Sequence, residues 1–224
     1  MERHIIIVAG GKGLRMGNSI PKQFLPLCGK PLLMRTVERF HLFDSQMAIT
    51  LVLPQIHHQY WQQLCHDHRF DIPHRVVYGG EERFFSVKNA LATIPNGVMV
   101  GIHDGVRPFV SHATVENTFA AAEKYGCAVP AMPSADSVRI GSENQSTPLD
   151  RSKIFLVQTP QCFRSEIIKA AYNTNFDPLF TDDASVVEMM LKKEIHLTQG
   201  NRENIKITTP FDLQIVEYLC QNTL

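Results

Sequence analysis

Acidic residues are missing from one long stretch of this 224-residue chain. Between Arg3 and Val37 there is no Asp or Glu, while Arg3, Lys12, Arg15, Lys22, Lys30 and Arg35 all fall there. The chain as a whole lacks an excess of either sign, with 22 Lys plus Arg against 22 Asp plus Glu. A neutral total argues against a nucleic-acid or anionic-membrane partner, whereas a local cationic segment suits a small anionic ligand. No C-x-x-C pair occurs among Cys28, Cys65, Cys127, Cys162 and Cys220. Scattered and odd in number, they argue against a disulfide framework and a zinc site. No apolar run approaches membrane-spanning length, and the N-terminus lacks the basic start, apolar stretch and small-residue cleavage site of a signal peptide. A reduced, cytoplasmic protein is the expectation. Internal repeats and low-complexity linkers are also lacking, and the length suits one domain, 1–224, with a sizeable core.

What is present is an alternation. Short apolar runs, mostly bounded by Gly or Pro, predict strands over His4–Ala9, Ala48–Leu53, Arg75–Tyr78, Val98–Ile102 and Cys127–Ala131. Their continuous apolar character implies burial on both faces, as in parallel sheets. Helical segments fall between them. One follows Pro31 and ends near Phe43, another covers roughly Ser86–Ile94, and a third starts at a Ser111 N-cap with Val115, Phe119 and Ala122 on one face. Ala184, Val187 and Leu191 share a further face. Thr209-Pro210-Phe211-Asp212 opens a last helix whose stripe is Leu213, Val216 and Cys220. The alternation predicts an α/β fold, doubly wound about a mostly parallel sheet, with ligands at the carboxyl ends of the strands. Residues 133–156 break the pattern, being polar and long for a loop. Val138–Ile140 and Ile154–Val157 are candidates for the two strands of a protruding β-arm. A hairpin is marginal alone, so such an arm calls for a surface to pack on, such as a second subunit.

The loop Val8-Ala9-Gly10-Gly11-Lys12-Gly13-Leu14-Arg15-Met16-Gly17 fits neither common anion loop. G-x-G-x-x-G would open directly into a helix, which Pro21 blocks, and would want an acidic residue about 20 positions on. G-x-x-x-x-G-K-[ST] is absent. What remains is glycine backbone that can approach an anion closely, with Arg15 and Lys22 to neutralise a polyphosphate; a tight turn with incidental basic residues is the plainer reading. In His103-Asp104-Gly105-Val106-Arg107-Pro108 a carboxylate ends a buried strand, which is costly unless paired. Either Arg107 pairs it, or Asp104 helps place a Mg²⁺ that bridges phosphates. Gly79, Gly80 and Ser86 could hold a base or ribose, or only cap a helix. Thr159-Pro160-Gln161 reads as a turn and Thr181-Asp182-Asp183-Ala184-Ser185 as a helix start. Lys206 stands among strand-like residues and snorkels unless an anion is near. His57-His58 and His66-Asp67-His68 read as surface histidines of a helix.

Taken in order, Gly10-Gly11-Lys12-Gly13-Leu14-Arg15-Met16, Pro21-Lys22-Gln23, His103-Asp104, Arg107-Pro108, Asp150-Arg151, Thr159-Pro160-Gln161, Thr181-Asp182 and Asn204-Ile205-Lys206 resemble the 2-C-methyl-D-erythritol 4-phosphate cytidylyltransferase family over essentially the whole chain. The resemblance implies a Rossmann-like fold of the nucleotide-diphospho-sugar transferase type and a homodimer that exchanges arms. It implies cytidylyl transfer from CTP to 2-C-methyl-D-erythritol 4-phosphate, with Mg²⁺, in the non-mevalonate isoprenoid pathway. Roles follow by position. Arg15 and Lys22 match transition-state stabilisers, and Arg151 and Lys206 match residues that position the acceptor, Arg151 across the dimer. The nucleotide falls to Ala9, Gly10, Gly11, Gly13, Gly80 and Ser86. Asp104 and Arg107 serve both substrates, with Asp104 beside the metal, and Ser137, Thr159 and Thr181 complete the acceptor side.

The chain departs from the family pattern in places. Leu14 stands where many members have a second arginine, Gly105-Val106 replaces a commoner pair of alanines, and Ser137 stands where threonine is frequent. Gly105-Val106 is also similar to ribitol-5-phosphate cytidylyltransferases, the runner-up activity. A nucleotide-binding module without chemistry is a further alternative, but it would not need Arg15, Lys22, Arg151 and Lys206 together. The implied reaction uses no covalent nucleophile, so it rests on positioning and charge stabilisation. Lys22→Ala is expected to lower turnover by about 10²-fold, about 3 kcal/mol; steady-state pyrophosphate release measures this, and near-normal turnover in the folded variant would refute the role.

Overall fold

Ile5, Ile6 and Ile7 have no exposed surface, and a strand sealed on both faces has to lie inside a sheet. In the computed structural model, which describes residues 1–10 and 20–223, that strand is β1 (Arg3–Val8). The chain continues through a small ribbon, β2 (Pro26–Leu27) and β3 (Lys30–Pro31), then α1 (Leu32–Phe43), β4 (Ala48–Leu53), α2 (His58–Asp67), β5 (Arg75–Tyr78) and α3 (Arg83–Leu91). Next come β6 (Met99–Asp104), α4 (His112–Tyr125), β7 (Cys127–Pro133) and the arm strands β8 (Val138–Gly141) and β9 (Ser146–Leu149). The rest is β10 (Phe155–Val157), β11 (Gln161–Arg164), α5 (Ser165–Tyr172), α6 (Asp183–Leu191), β12 (His196–Gln199) and α7 (Pro210–Thr223).

The main sheet runs β10-β7-β11-β6-β1-β4-β5, with β12 also on β7. β1 lies parallel to both β4 and β6, and β4 parallel to β5. β11 is antiparallel to β6 and β7. Alternate β1 side chains feed opposite layers: Ile5 and Ile7 join α1 and α4 residues such as Met34, Phe40 and Phe119, while Ile6 joins α3, α5 and α6 residues such as Val87, Ile168 and Val187. Each fully buried isoleucine of this kind contributes about 2 kcal/mol. A third cluster lies at one end, where Leu27, Leu32, Val106, Phe109, Ile207, Val216 and Cys220 join the ribbon, the turn after β6 and α7.

Local signals set several boundaries. The Ser111 hydroxyl accepts from Thr114 N at the start of α4, and Gly126 ends it in the left-handed region at φ 93°, where glycine carries no Cβ penalty. At α7, Asp212 Oδ2 accepts from Thr209 N at 2.8 Å and the Thr209 hydroxyl accepts from Asp212 N at 3.2 Å, a reciprocal cap. α1, β4 and β5 match their expected positions.

Three expectations need correction. The segment 154–157 does not pair with 138–140. β8 pairs with β9, closed by a turn in which Ser142 N donates to Gln145 O at 2.7 Å, because a short loop closes at less entropic cost than a long one. β10 instead returns to β7. Lys206 does not lie in a strand; Ile207 N donates to Val106 O at 3.0 Å outside any ladder. Cys28 and Cys220, 192 residues apart, are disulfide-bonded, because packing of α7 against the ribbon brings together cysteines whose spacing gave no sign of it. Since Ile207 is fully buried in that third cluster, Ile207→Ala should destabilise the fold by about 2–5 kcal/mol, read from urea unfolding midpoints at constant slope.

Candidate active site

The order of strands leaves one crevice. From β1 the chain moves outward to β4 and β5, then returns to place β6 on the other side of β1. Ligands bind at the carboxyl ends of strands where the order reverses in this way. Register puts those ends in one row: Val8 faces Asp104 on one side and Val52 on the other, and Leu53 faces Tyr78. The ends of β1, β5 and β6 therefore open together.

Asp104 is the centre of charge in this row. Its side chain is 9% exposed, yet burial is offset by three cations. Arg107 Nε lies 3.0 Å and Lys206 Nζ 3.2 Å from Oδ2, and Arg83 Nε lies 3.9 Å from Oδ1. Burial alone would push the Asp104 carboxyl up; Arg83, Lys206 and Arg107 hold it well below the usual carboxylate range. Arg107 is spent on structure, since its Nη1 also donates to Asn204 O at 2.7 Å. Lys206 is 43% exposed and keeps donors for a ligand. Lys22 reaches the same place from 185 residues away, its Nζ donating to Ile207 O at 3.2 Å. Gln23 anchors the Lys22 segment by donating to Ala9 O at 3.1 Å.

On the β5 side, Ser86 holds two loops together. It sits in the second turn of α3 and is 2% exposed, and its hydroxyl accepts from Gly80 N at 3.0 Å. A Cβ at Gly10 would come within 3.1 Å of that oxygen, and one at Gly80 would collide with Phe85 Cβ. Glycine is thus required at Gly80 by Phe85 and favoured at Gly10 by the Ser86 hydroxyl. Ser86 retains its own proton to donate. Ala9 is anchored by its N–H to Val52 O at 2.9 Å.

Arg83 and Asp183 carry much of the wall between these groups, and the sequence reading passed over both. Arg83 Nη1 and Nη2 donate to Asp183 Oδ1 and Oδ2 at 2.8 and 2.6 Å. Asp183 has no exposed surface and also accepts the Tyr172 hydroxyl at 2.7 Å. Burial would lower the Arg83 pKa, but Asp183 and Asp104 hold it fully charged. The available signal was Arg83 itself, a charge directly before Phe84 and Phe85, between Gly80 and Ser86. The run Thr181–Ser185 is a helix start as expected. Asp182 and Ser185 cap α6 reciprocally, and Gln161 braces the turn, donating to Asp182 Oδ2 at 2.7 Å and accepting from Ala184 N at 2.9 Å. Thr181 is exposed beside this cap.

Gly11, Gly13 and Arg15 fall outside the described residues. Ser137 and Arg151 are on the arm and exposed, and Arg151 Nη1 donates to Ala135 O at 3.0 Å. Among the described residues no contact joins either to Asp104. His66 and His68 are exposed, while His58 stacks beside Tyr78 with ring centroids 4.4 Å apart.

Thr159 is buried and its hydroxyl is committed. His103 Nε2 must donate to Arg107 O at 3.0 Å, because a carbonyl only accepts. His103 Nδ1 therefore accepts from the Thr159 hydroxyl at 3.0 Å, and that oxygen accepts Asp104 N–H at 3.1 Å. This neutral relay fixes the end of β6. Burial lowers the His103 pKa to about 4, against the raising effects of the Arg107 carbonyl and Asp104. The difference from 6.5 corresponds to about 3 kcal/mol. Between about pH 6.5 and 4 the unfolded chain takes up a proton that the buried ring refuses, so stability falls with pH across that window. From pH 7 to 4.5 the wild type should lose about 2 kcal/mol more unfolding free energy than His103→Asn, measured by urea titration; equal losses would show that the ring does not carry this dependence.

Comparison with known proteins agrees with the geometry. Residues 3–222 match the family described as 2-C-methyl-D-erythritol 4-phosphate cytidylyltransferase. The chain is 52% identical over 219 residues to the protein of that description from Phocaeicola vulgatus, covering 98% of this chain and 100% of the relative. It is 53% identical over 220 residues to that of Bacteroides fragilis, covering 98% and 100%. Among solved structures, 4-diphosphocytidyl-2C-methyl-D-erythritol synthase from Anaerococcus prevotii superposes with a TM-score of 0.83 at 27% identity, covering 98% of this chain and 96% of that one. With its fold, its row of strand ends and its full-length match in agreement, the chain belongs to the 2-C-methyl-D-erythritol 4-phosphate cytidylyltransferase family.

Proposed function

We infer that this chain transfers the cytidylyl group of CTP to 2-C-methyl-D-erythritol 4-phosphate, giving 4-diphosphocytidyl-2-C-methyl-D-erythritol and pyrophosphate in the non-mevalonate isoprenoid pathway. The observation that carries the reading is the Asp104 carboxylate at the end of β6 with Lys206 Nζ 3.2 Å from it, while Lys22 Nζ donates to the carbonyl of the next residue, Ile207. An acceptor phosphate oxygen attacks the CTP α-phosphorus in line, and pyrophosphate leaves. Negative charge then builds on the phosphoryl oxygens, where preorganised cations are most effective. Lys22 and Arg15 serve the triphosphate. Lys206, steadied by Asp104, turns its remaining N–H donors to the acceptor phosphate. Gly10, Gly11, Gly13, Gly80 and Ser86 hold the nucleoside and phosphates by backbone N–H groups and one hydroxyl.

Mg²⁺ belongs to this proposal as a counter-charge to the phosphates. Asp104 Oδ1 accepts no hydrogen bond among the described residues, its nearest cation being Arg83 Nε at 3.9 Å, so this oxygen could take the ion. Among the described residues no cluster of three His, Cys, Asp or Glu side chains forms a metal site, so the phosphates would supply the other ligands. The proposed assembly is a homodimer in which residues 133–156 reach the neighbouring protomer and deliver Arg151 to its acceptor phosphate. Exposed Ile140 (59%) and Leu156 (57%) on this segment support a buried role for it. A cytoplasmic location also belongs to the proposal, with Cys28–Cys220 as a bond that a reducing compartment would open; among the described residues no helix is long and apolar enough to cross a membrane.

Ribitol 5-phosphate was suggested by Gly105. A Cβ there would meet Leu33 Cδ1 at 2.9 Å and Ala9 Cβ at 3.0 Å, so local packing accounts for the glycine. Pyrophosphate release with CTP and Mg²⁺ is the test, run side by side with methylerythritol 4-phosphate and ribitol 5-phosphate. A strong preference for the first is expected. A preference for the second would move the acceptor assignment, and release with neither from protein that binds CTP would overturn the reaction.

A further inference from the structure

We propose that Arg83 is a positioning residue for the acceptor half of the site, tying the carboxylate at the end of β6 to the first turn of α6 and so fixing Thr181 relative to Asp104 and Lys206. The inference deepens the proposed function and rests on its reading of the Asp104–Lys206 group as the phosphate site.

The geometry is specific. Arg83 is the first residue of α3, directly after the Gly79–Glu82 loop on the nucleotide side. Its two terminal nitrogens meet both oxygens of Asp183 at 2.8 and 2.6 Å, a two-point contact that only a guanidinium makes. Its remaining nitrogen, Nε, turns to Asp104 at 3.9 Å. Asp183 is the first residue of α6, two positions after Thr181. The next residue on α3 strengthens the link, because Phe84 stacks on Tyr172 at 4.7 Å and 15° while the Tyr172 hydroxyl donates to Asp183. Consecutive side chains of one helix thus grip the start of another.

Stability alone gives a weaker account of this arrangement. A buried ion pair is often no better for stability than an apolar pair of similar volume. What an apolar pair could not do is hold α6 while facing Asp104. Arg83, Arg107 and Lys206 against Asp104 and Asp183 also leave the cluster one positive charge in excess, suited to an incoming phosphate.

The test compares Arg83→Gln, Arg83→Lys and Tyr172→Phe with the wild type. Arg83→Gln should raise the sugar-phosphate KM by about tenfold or more while the CTP KM moves less than about threefold. Arg83→Lys should behave like the glutamine variant, because one ammonium cannot replace the two-point contact. Tyr172→Phe should show the same split at about two- to fivefold, and it carries the test if an Arg83 variant fails to fold. Thr181→Ala should cost less in an Arg83→Gln background than in the wild type. A lower melting temperature with both KM values unchanged would make Arg83 merely structural and overturn the proposal. Full rescue by lysine, or a rise confined to the CTP KM, would overturn it as well. Calorimetry of CTP and of methylerythritol 4-phosphate, each bound alone, reads the same split without turnover. A wild type that prefers ribitol 5-phosphate would sink the acceptor assignment, while the Arg83 comparison would be read on that polyol phosphate.

Discussion

Asp104 has to be charged in a place where charge is expensive. It ends β6 in the row of strand ends beside Val8, and a buried carboxylate persists only when cations compensate for lost water. Three different parts of the chain supply that compensation: Arg83 from α3, Arg107 from the turn after β6, and Lys206 from the segment before α7. Each cation is in turn fixed by something else. Arg107 holds Asn204 O, Arg83 holds Asp183, and the end of β6 is set by the Thr159–His103 relay. Meeting the needs of one carboxylate organises most of the crevice.

The same economy appears on the nucleotide side with neutral groups. Ser86 is one buried hydroxyl, but a Cβ at Gly10 would crowd it at 3.1 Å, and one at Gly80 would collide with Phe85 Cβ. One hydroxyl proton then remains to be donated on this side of the crevice. Charge is concentrated at the end of β6, and uncharged donors lie at the ends of β1 and β5. This division follows from which strand end each loop leaves.

Much of the architecture was legible in the residues because it is local. Ile5–Ile7 announce an interior strand, Ser111 and Gly126 bound α4, and Thr209 with Asp212 opens α7; neighbours within a few positions decide each. The arm hairpin was partly legible. Its first strand was found, but its partner was misassigned, because two apolar-containing segments competed and loop closure favours the nearer one. The candidate site was legible as separate motifs, and the ordered set of motifs pointed to the family that full-length comparison supports.

What the sequence by itself determined was therefore the alternation of elements, the glycine-rich loop and the identity of the basic residues available to an anion. What only the tertiary structure decided was which of them meet. Lys22 finds Ile207 across 185 positions, Arg83 finds Asp183 across 100, and Cys28 finds Cys220 across 192. Thr159, which reads as part of a turn, becomes a buried link between His103 and Asp104. Helix and strand preferences act over a few residues. The pairing of buried charges and the closing of a core depend on how helices and strands pack, and that packing is settled across the whole chain at once.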